Sequence, residues 1–208
     1  MRPLTFYDRA TVVIGVAGSG KSTIAAALAR HLGREFRDGD SFHGPGNMAK
    51  MALGRPLTDR DRGPWLESIA AWLAATPRVV VACSALKESY RDHLRLAGPL
   101  LFLHLEITPS TARARVAARN GHFMPASLVD DQYATLETPS PGEPDVVWLD
   151  GEAPELVLAA RALSAVIGVP NPAAAHPSNA RTPLTPRHRP PPLPPDTNPS
   201  HPNEEVQQ

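Results

Sequence analysis

Apolar residues recur along the first 169 positions in two alternating rhythms. Short runs rich in Val, Ile and Leu, without the alternation of a half-wet strand, stand at 11–17 (TVVIGVA), 78–84, 100–107 and 145–149, with a weaker one at 35–40. Runs of that kind suit strands buried on both faces of a parallel sheet. Between them lie longer stretches with apolar residues at helical spacing, as at Ile24, Leu28 and Leu32. These predict helices over Lys21–Leu32, 47–53, Asp59–Ala75, 87–96, 110–120, 126–136 and 154–167. Start signals support several of them: Thr58 precedes Asp59 and Asp61, which suit a first turn, and Pro154 stands where a first-turn proline is tolerated. Five strands alternating with helices predict one α/β domain over residues 1–169, with a parallel sheet flanked by helices. In such sheets ligands bind beyond the carboxyl ends of the strands.

The rhythm stops near Gly168. Residues 170–208 hold 12 of the chain's 24 prolines and no Phe, Trp or Tyr. That stretch lacks the apolar area to offset the entropy of ordering it, so it is expected to be a disordered, partly polyproline-II tail. The run from Pro190 to Pro195 leaves room for a second reading, a docking site for a proline-binding partner. With 21 basic and 21 acidic residues the formal net charge is zero, so no broad field favours nucleic acid or an anionic membrane. The single cysteine, Cys83, lies in an apolar run and is read as a buried structural thiol in a reducing compartment. The chain starts without a charged-then-apolar leader pattern and has no apolar run long enough to span a bilayer, so a cytoplasmic location is expected.

The first run leads into chemistry. Residues 15–22 read GVAGSGKS and fit the phosphate-cradling pattern G-x-x-x-x-G-K-[ST] at every fixed position, between a strand pattern and a helix pattern. Gly15, Gly18 and Gly20 let backbone N–H groups approach phosphate oxygens, with Ser19 between them. The helix that opens at Lys21 points its positive end at the same anion. Lys21 would reach the β- and γ-phosphates of ATP, Ser22 would hold Mg²⁺, and Thr23 continues the segment. A P-loop NTPase fold follows, but the loop leaves open what is done with the nucleotide. The guanine-reading N-K-x-D of switch GTPases and the H-R-D of protein kinases are both absent. A Walker-B-like string, Val146 to Asp150, is read as a strand followed by a loop aspartate.

Two further segments exceed what a bare nucleotide-binding core needs. One runs from Asp38-Gly39-Asp40 through His43, Asn47 and Lys50 to Arg62-Gly63-Pro64-Trp65-Leu66; the other is Cys83-Ser84-Ala85-Leu86-Lys87, then Tyr90-Arg91-Asp92. Two carboxylates at a strand tip suit metal-water coordination and acceptance of a hydroxyl proton. His43, Asn47, Lys50 and Arg62 supply donors for a small polar anion.

The order of DGD-x-x-H, N-x-x-KM-x-x-G-x-PL-x-D-x-DR-x-PWL, CSALK-x-x-YRD-x-LR and GHF resembles the gluconokinase family, P-loop sugar-acid kinases related to shikimate kinase, over about residues 10–167. The resemblance implies a shikimate-kinase-like (nucleoside-monophosphate-kinase-like) fold with a helical lid over about residues 115–136. It implies phosphorylation of D-gluconate at its 6-hydroxyl by Mg²⁺-ATP, in a cytoplasmic homodimer. Carried over residue by residue, Asp40 orients or deprotonates the hydroxyl, and Asp38 lies nearer the Mg²⁺ shell. His43, Lys50 and Arg62 hold the sugar acid, Lys87 and Arg91 line the same pocket, Arg119 closes on the transferring phosphoryl group, and Arg115 stacks on adenine. Two rivals stand beside this reading: a kinase for shikimate or another small sugar acid, and a regulatory protein that binds ATP without turnover.

Other residues have plainer readings. Asp59, Arg60 and Asp61 are expected to form a solvated helix start. Trp65, Trp72, Tyr90 and Phe123 are expected to pack, and His104 and His122 to be structural. Family members often carry Pro directly after the DGD-segment His; here Gly44 intervenes before Pro45, which is expected to loosen that loop. Asp130 and Asp131 make the lid more acidic than is common among relatives.

Overall fold

The computed structural model describes residues 6–118 and 126–168, which contain every element named here. Ala10–Ile14 (β1) is buried at all five positions and occupies the centre of a sheet whose strand order is β2-β3-β1-β4-β5. The others are Phe36–Asp38 (β2), Val80–Ala82 (β3), Leu100–Glu106 (β4) and Val146–Asp150 (β5), and every pairing is parallel. Thr11 aligns with Val80 on one side and Leu101 on the other.

The strand's two-residue period divides its side chains between two helical layers. Val12 and Ile14 pack with Trp65, Ile69 and Leu73 of Asp59–Ala75 (α3) and Leu94 of Glu88–Arg95 (α4). Val13 packs with Ile24 and Leu28 of Lys21–Leu32 (α1) and with Leu158, Ala162 and Val166 of Glu155–Ile167 (α7). A third apolar group sits at the carboxyl ends: Val16, Leu86 and Ile107 meet Ala112 and Val116 of Pro109–Ala117 (α5) and Val129 of Ala126–Thr135 (α6). That group seats α5 and α6 over the P-loop. Among the described residues no helix is long and apolar enough to cross a membrane.

The five-stranded parallel sheet and the expected helices are present, and the differences lie at the ends. The chain leaves β1 at Gly15 (φ +142), where a Cβ would come within 2.8 Å of the Leu105 carbonyl, so the run to Ala17 is strand only in its first part. Pro45–Ala52 (α2) opens two residues earlier than expected, because Gly44 is its N-cap and Pro45 falls in its first turn. The Gly44–Pro45 pair therefore starts a helix. The first turn of α3 carries a full capping box between Thr58 and Asp61. The end of β2 passes into a short 3-10 helix, Gly39–Phe42, which the hydropathy pattern did not reveal. The Pro-rich 170–208 segment lies outside the described residues.

Candidate active site

Beyond β1 the P-loop turns over the N-terminus of α1. Gly18 has φ +80, and a Cβ there would meet the Ala112 carbonyl at 2.8 Å, so the loop can pass beneath α5 only with glycine. Lys21 donates from Nζ to the Val16 carbonyl at 2.8 Å, across the loop's own mouth. Ser19 is buried inside the turn, with an Oγ that meets no hydrogen-bond partner among the described residues. Gly18, Gly20, Lys21 and Ser22 line a cavity of about 200 Å³ at the carboxyl ends of the strands. Gly15, Ser19 and Thr23 shape the loop and the start of α1 without lining it.

Asp38, Asp40, His43 and Arg62 line the same cavity. The Asp-Gly-Asp spacing has a steric cause. A Cβ on Gly39 would stand 2.5 Å from the Ala82 carbonyl at the end of β3, so the chain is pressed against the neighbouring strand as it leaves β2. Asp38 caps the 3-10 turn by accepting from the Asp40 N–H at 3.0 Å, and its carbonyl accepts from Ser41 Oγ at 2.6 Å. Both carboxylates thereby reach the cavity from adjacent turns of one rigid segment.

His43 is stacked on one face. Its ring stacks on buried Trp65 with centroids 4.6 Å apart and planes 13° from parallel. Trp65 is itself anchored by Nε1 donating to the Gly39 carbonyl at 2.7 Å. Burial pushes the His43 imidazole below its ordinary pKa; Asp40 opposes that shift and Arg62 reinforces it. That shift favours the neutral ring. Trp65 packs, as expected, and also forms a wall of the site.

Three predicted substrate ligands do not reach the cavity. Lys50 donates to Asp61 at 2.6 Å and Lys87 to Asp59 at 2.7 Å, so the first turn of α3 binds both ammonium groups at the rim. The Lys50 bond and those from Thr58 hold Asp61 well below the usual carboxylate range. Lys87 and then Tyr90 lower Asp59, whose carboxylate accepts from the Tyr90 hydroxyl in a very short bond. The helix start is exposed at Asp59 and Arg60, as expected, and through Asp61 and Asp59 it also ties α3 to α2 and to the start of α4. Arg91 departs furthest from expectation. It is 1% exposed and forms a two-pronged bond to Glu143, Nε to Oε2 at 2.7 Å and Nη2 to Oε1 at 2.8 Å. Its Nη1 donates to the Glu137 carbonyl at 3.1 Å. Arg91 fixes the 137–145 segment against α4 and is no part of the cavity wall.

On the lid side, Arg115 donates from Nη1 to the Gly151 carbonyl at 2.9 Å and, more weakly, to Gly18 at 3.4 Å. It thereby joins α5 to the P-loop and to the turn after β5. Glu152 in that turn accepts from the Thr108 hydroxyl, its N–H and Thr111, which hold it at about 2. Asp150 ends an edge strand and accepts from the Glu152 N–H, in keeping with the structural reading of the Walker-B-like string. Cys83 is buried and its thiol is pushed up to about 12 by that burial. Arg119, His122 and Phe123 lie outside the described residues.

Two cavity residues escaped the sequence reading. Gln132 on α6 accepts from the Ala17 N–H at 2.7 Å, a direct bond between the lid helix and the P-loop. Arg55 lines the cavity opposite, in the G-R-P-L string whose arginine drew no notice beside Arg62. No local signal marks Gln132, because its partner is 115 residues away.

A phosphate-cradling loop, a pair of strand-tip carboxylates and a lid over one cavity define a P-loop kinase. The family model for shikimate kinase matches residues 17–132. The chain is 46% identical over 156 residues to a gluconokinase of Gluconobacter oxydans, covering 72% of this chain and 87% of that one. It is 41% identical over 148 residues to the thermoresistant gluconokinase of Escherichia coli, covering 69% and 85%. The crystal structure of a gluconokinase from Sinorhizobium meliloti superposes with a TM-score of 0.73 at 44% identity, over 78% of this chain and 94% of that chain. The chain belongs to the gluconokinase family.

Proposed function

We propose that the chain transfers the γ-phosphoryl group of ATP to the 6-hydroxyl of D-gluconate, giving 6-phosphogluconate and ADP. The observation that carries this reading is the convergence of Lys21, Ser22, Asp38, Asp40, His43 and Arg62 on one cavity. The two carboxylates and the donors stand where a sugar acid would meet the phosphate cradle.

The residues present fit the nucleotide and its metal. Gly20 leaves open space where a side chain would stand, so a phosphate can approach the backbone, and the α1 N-terminus and Lys21 supply donors. Among the described residues no group of three or more metal-binding side chains gathers. That suits Mg²⁺, which keeps its waters and needs few protein ligands beside phosphate oxygens; Ser22 and Asp38 are the two assigned here. When bound, Mg²⁺ offsets the charge of the β- and γ-phosphates.

Asp40 accepts the proton of the attacking hydroxyl, or orients it, a role worth on the order of 10²- to 10⁴-fold in rate. Lys21 leaves the Val16 carbonyl to follow the phosphates. Arg62 and His43 hold the sugar acid, and Arg55 adds a second guanidinium for its carboxylate, since a planar fork matches that group. Arg119 closes on the transferring phosphoryl group, Arg115 lies against the adenine, and closure of α6 keeps out water that would compete as acceptor. Cytoplasmic location, a homodimeric state and a tail outside the catalytic domain complete the proposal and rest on the family resemblance and the composition.

A coupled assay of ADP release with Mg²⁺-ATP and a panel of D-gluconate, shikimate and other sugar acids tests the reading. Strong turnover confined to gluconate is expected. Equal or better turnover with shikimate, or ATP binding without turnover on any acid, would overturn it.

A further inference from the structure

The side chains behind His43 fix which of its nitrogens carries the proton. The terminal amide of Asn47 meets two partners through one atom: the Asp61 carbonyl at 2.8 Å and His43 Nδ1 at 3.2 Å. A backbone carbonyl only accepts, so the Asn47 atom beside it must be the donating nitrogen, Nδ2. The same Nδ2 therefore donates to His43, and Nδ1 must hold a lone pair. In a neutral imidazole the proton then sits on Nε2. Asp61 cannot swing away, because its side chain closes the α3 capping box and its carboxylate is bound by Lys50. Trp65 prevents a ring flip from one side by stacking at 4.6 Å. His43 lines the cavity with Nδ1 engaged behind it, so Nε2 is the nitrogen left for a ligand.

We infer that Asn47 is a positioning residue that locks His43 as the Nε2–H tautomer, so that His43 serves as a hydrogen-bond donor to an oxygen of the sugar acid and not as a proton acceptor. The inference rests on the reading of this cavity as the gluconate site. It sharpens that reading, because a histidine without a lone pair facing the ligand cannot deprotonate the 6-hydroxyl, and Asp40 alone of the two is left for that task. The lock also explains a spacing. His43 and Asn47 are four residues apart, across the Gly44 cap and the first turn of α2, and Asn47 bridges that turn to α3.

The test is long-range ¹⁵N–¹H correlation of the histidine ring nitrogens in the full chain near neutral pH, with His43→Asn to assign its signals among the eight histidines. The wild type should show Nε2 protonated and Nδ1 bare. Asn47→Asp presents an atom that only accepts, so the proton should move to Nδ1; Asn47→Leu offers no partner and should give a mixture. Both variants should raise KM for gluconate about tenfold, as expected for one lost or misdirected hydrogen bond, with a smaller change in KM for ATP. Circular dichroism and a thermal melt establish that each variant is folded. A wild-type ring protonated on Nδ1 would overturn the inference, as would a tautomer unmoved in both variants. An unchanged gluconate KM in His43→Asn, with the wild-type ring protonated on Nε2, would strike instead at the placement of gluconate in this cavity and would remove the donor role with it.

Discussion

Arg91 separates a packing role from a catalytic one, and Arg91→Met makes the separation measurable. The variant keeps most of the stem and removes the charge. Glu143, 7% exposed, then loses two short bonds from Arg91 and keeps two, from Arg95 Nη2 at 2.8 Å and the Ser140 N–H at 3.1 Å. The carbonyl of Glu137 loses its donor as well. Breaking a buried ion pair by removing one partner costs about 3–5 kcal/mol, because the other charge is left without compensation. Arg95 supplies part of that compensation, so the lower end, about 3 kcal/mol, is the expected value. For a domain of this size that lowers Tm by roughly 6–12 °C. Differential scanning calorimetry gives the shift, and gluconate kinetics below the new transition give the second readout. KM and kcat should stay within about twofold of wild type, since the only cavity-lining group the guanidinium meets among the described residues is the Leu86 carbonyl, at 3.4 Å, which is assigned to no ligand. Arg91→Met with Glu143→Leu should recover stability, because an apolar pair in a dry site is as good as an ionic one. A variant that melts near the wild-type temperature but loses gluconate affinity tenfold or more would refute the argument and return Arg91 to the substrate.

The same cluster sets an acid limit. Burial alone would raise Glu143, but the bonds from Arg91 and Arg95 outweigh it and bring the group down to about 2. A depressed folded-state pKa contributes stability above the unfolded value, near 4.5, that is lost as pH falls toward 2. Melts from pH 6 to 3 should show a loss that the double apolar variant lacks. Asp40→Asn should cut kcat by about 10²- to 10⁴-fold while ATP still binds by calorimetric titration; near-normal turnover would remove Asp40 from the chemistry. Gly39→Ala places a methyl 2.5 Å from a backbone oxygen, so the segment must shift, and a displacement of about 1 Å costs on the order of 100-fold in kcat; an unchanged rate would show the two carboxylates tolerate movement. Gln132→Leu should raise KM for ATP severalfold with KM for gluconate little changed, from the loss of one bond worth about 1 kcal/mol; equal effects on both would place Gln132 elsewhere in the cycle.

What the sequence disclosed depended on distance along the chain. The P-loop and the Asp-Gly-Asp turn are local devices, each completed within a few residues, and with the family resemblance they pointed to Lys21, Ser22, Asp38 and Asp40, which line one cavity. The helices over Lys21–Leu32 and Asp59–Ala75 were legible to the residue, because caps and periodicity agree there. Arg62 and Arg91 were indistinguishable by type and by setting, yet one lines the cavity and the other is buried. Glu143, which decides the matter for Arg91, is 52 residues away. The family resemblance could not separate them, since a pattern of shared residues marks folding and catalysis alike. Lys50 and Lys87 misled for a related reason: two aspartates read as solvated face were close enough in space to bind them.

Those aspartates bear on how a chain with no net charge selects two anionic substrates. Selectivity cannot come from a global field, so it must come from where each charge is placed. Asp59 and Asp61 hold Lys87 and Lys50 at the rim, through exposed pairs that bind weakly in water. Glu143 and Asp145 hold Arg91 and Arg95 away from the cavity. Among the described residues the cations that line it are then Lys21, Arg55 and Arg62. One belongs to the phosphate cradle, and two stand on the sugar-acid side beside a neutral histidine whose orientation is set from behind. The acidic residues of α3 and of the 137–145 segment thus bear on specificity without touching a ligand: they pair with basic groups outside the cavity, and Asp59 also lies 3.8 Å from the cavity residue Arg62. An added cation at the rim would strengthen anion binding in general and weaken the distinction among sugar acids, which is why a neutral chain with paired surface charges suits a kinase that must choose one.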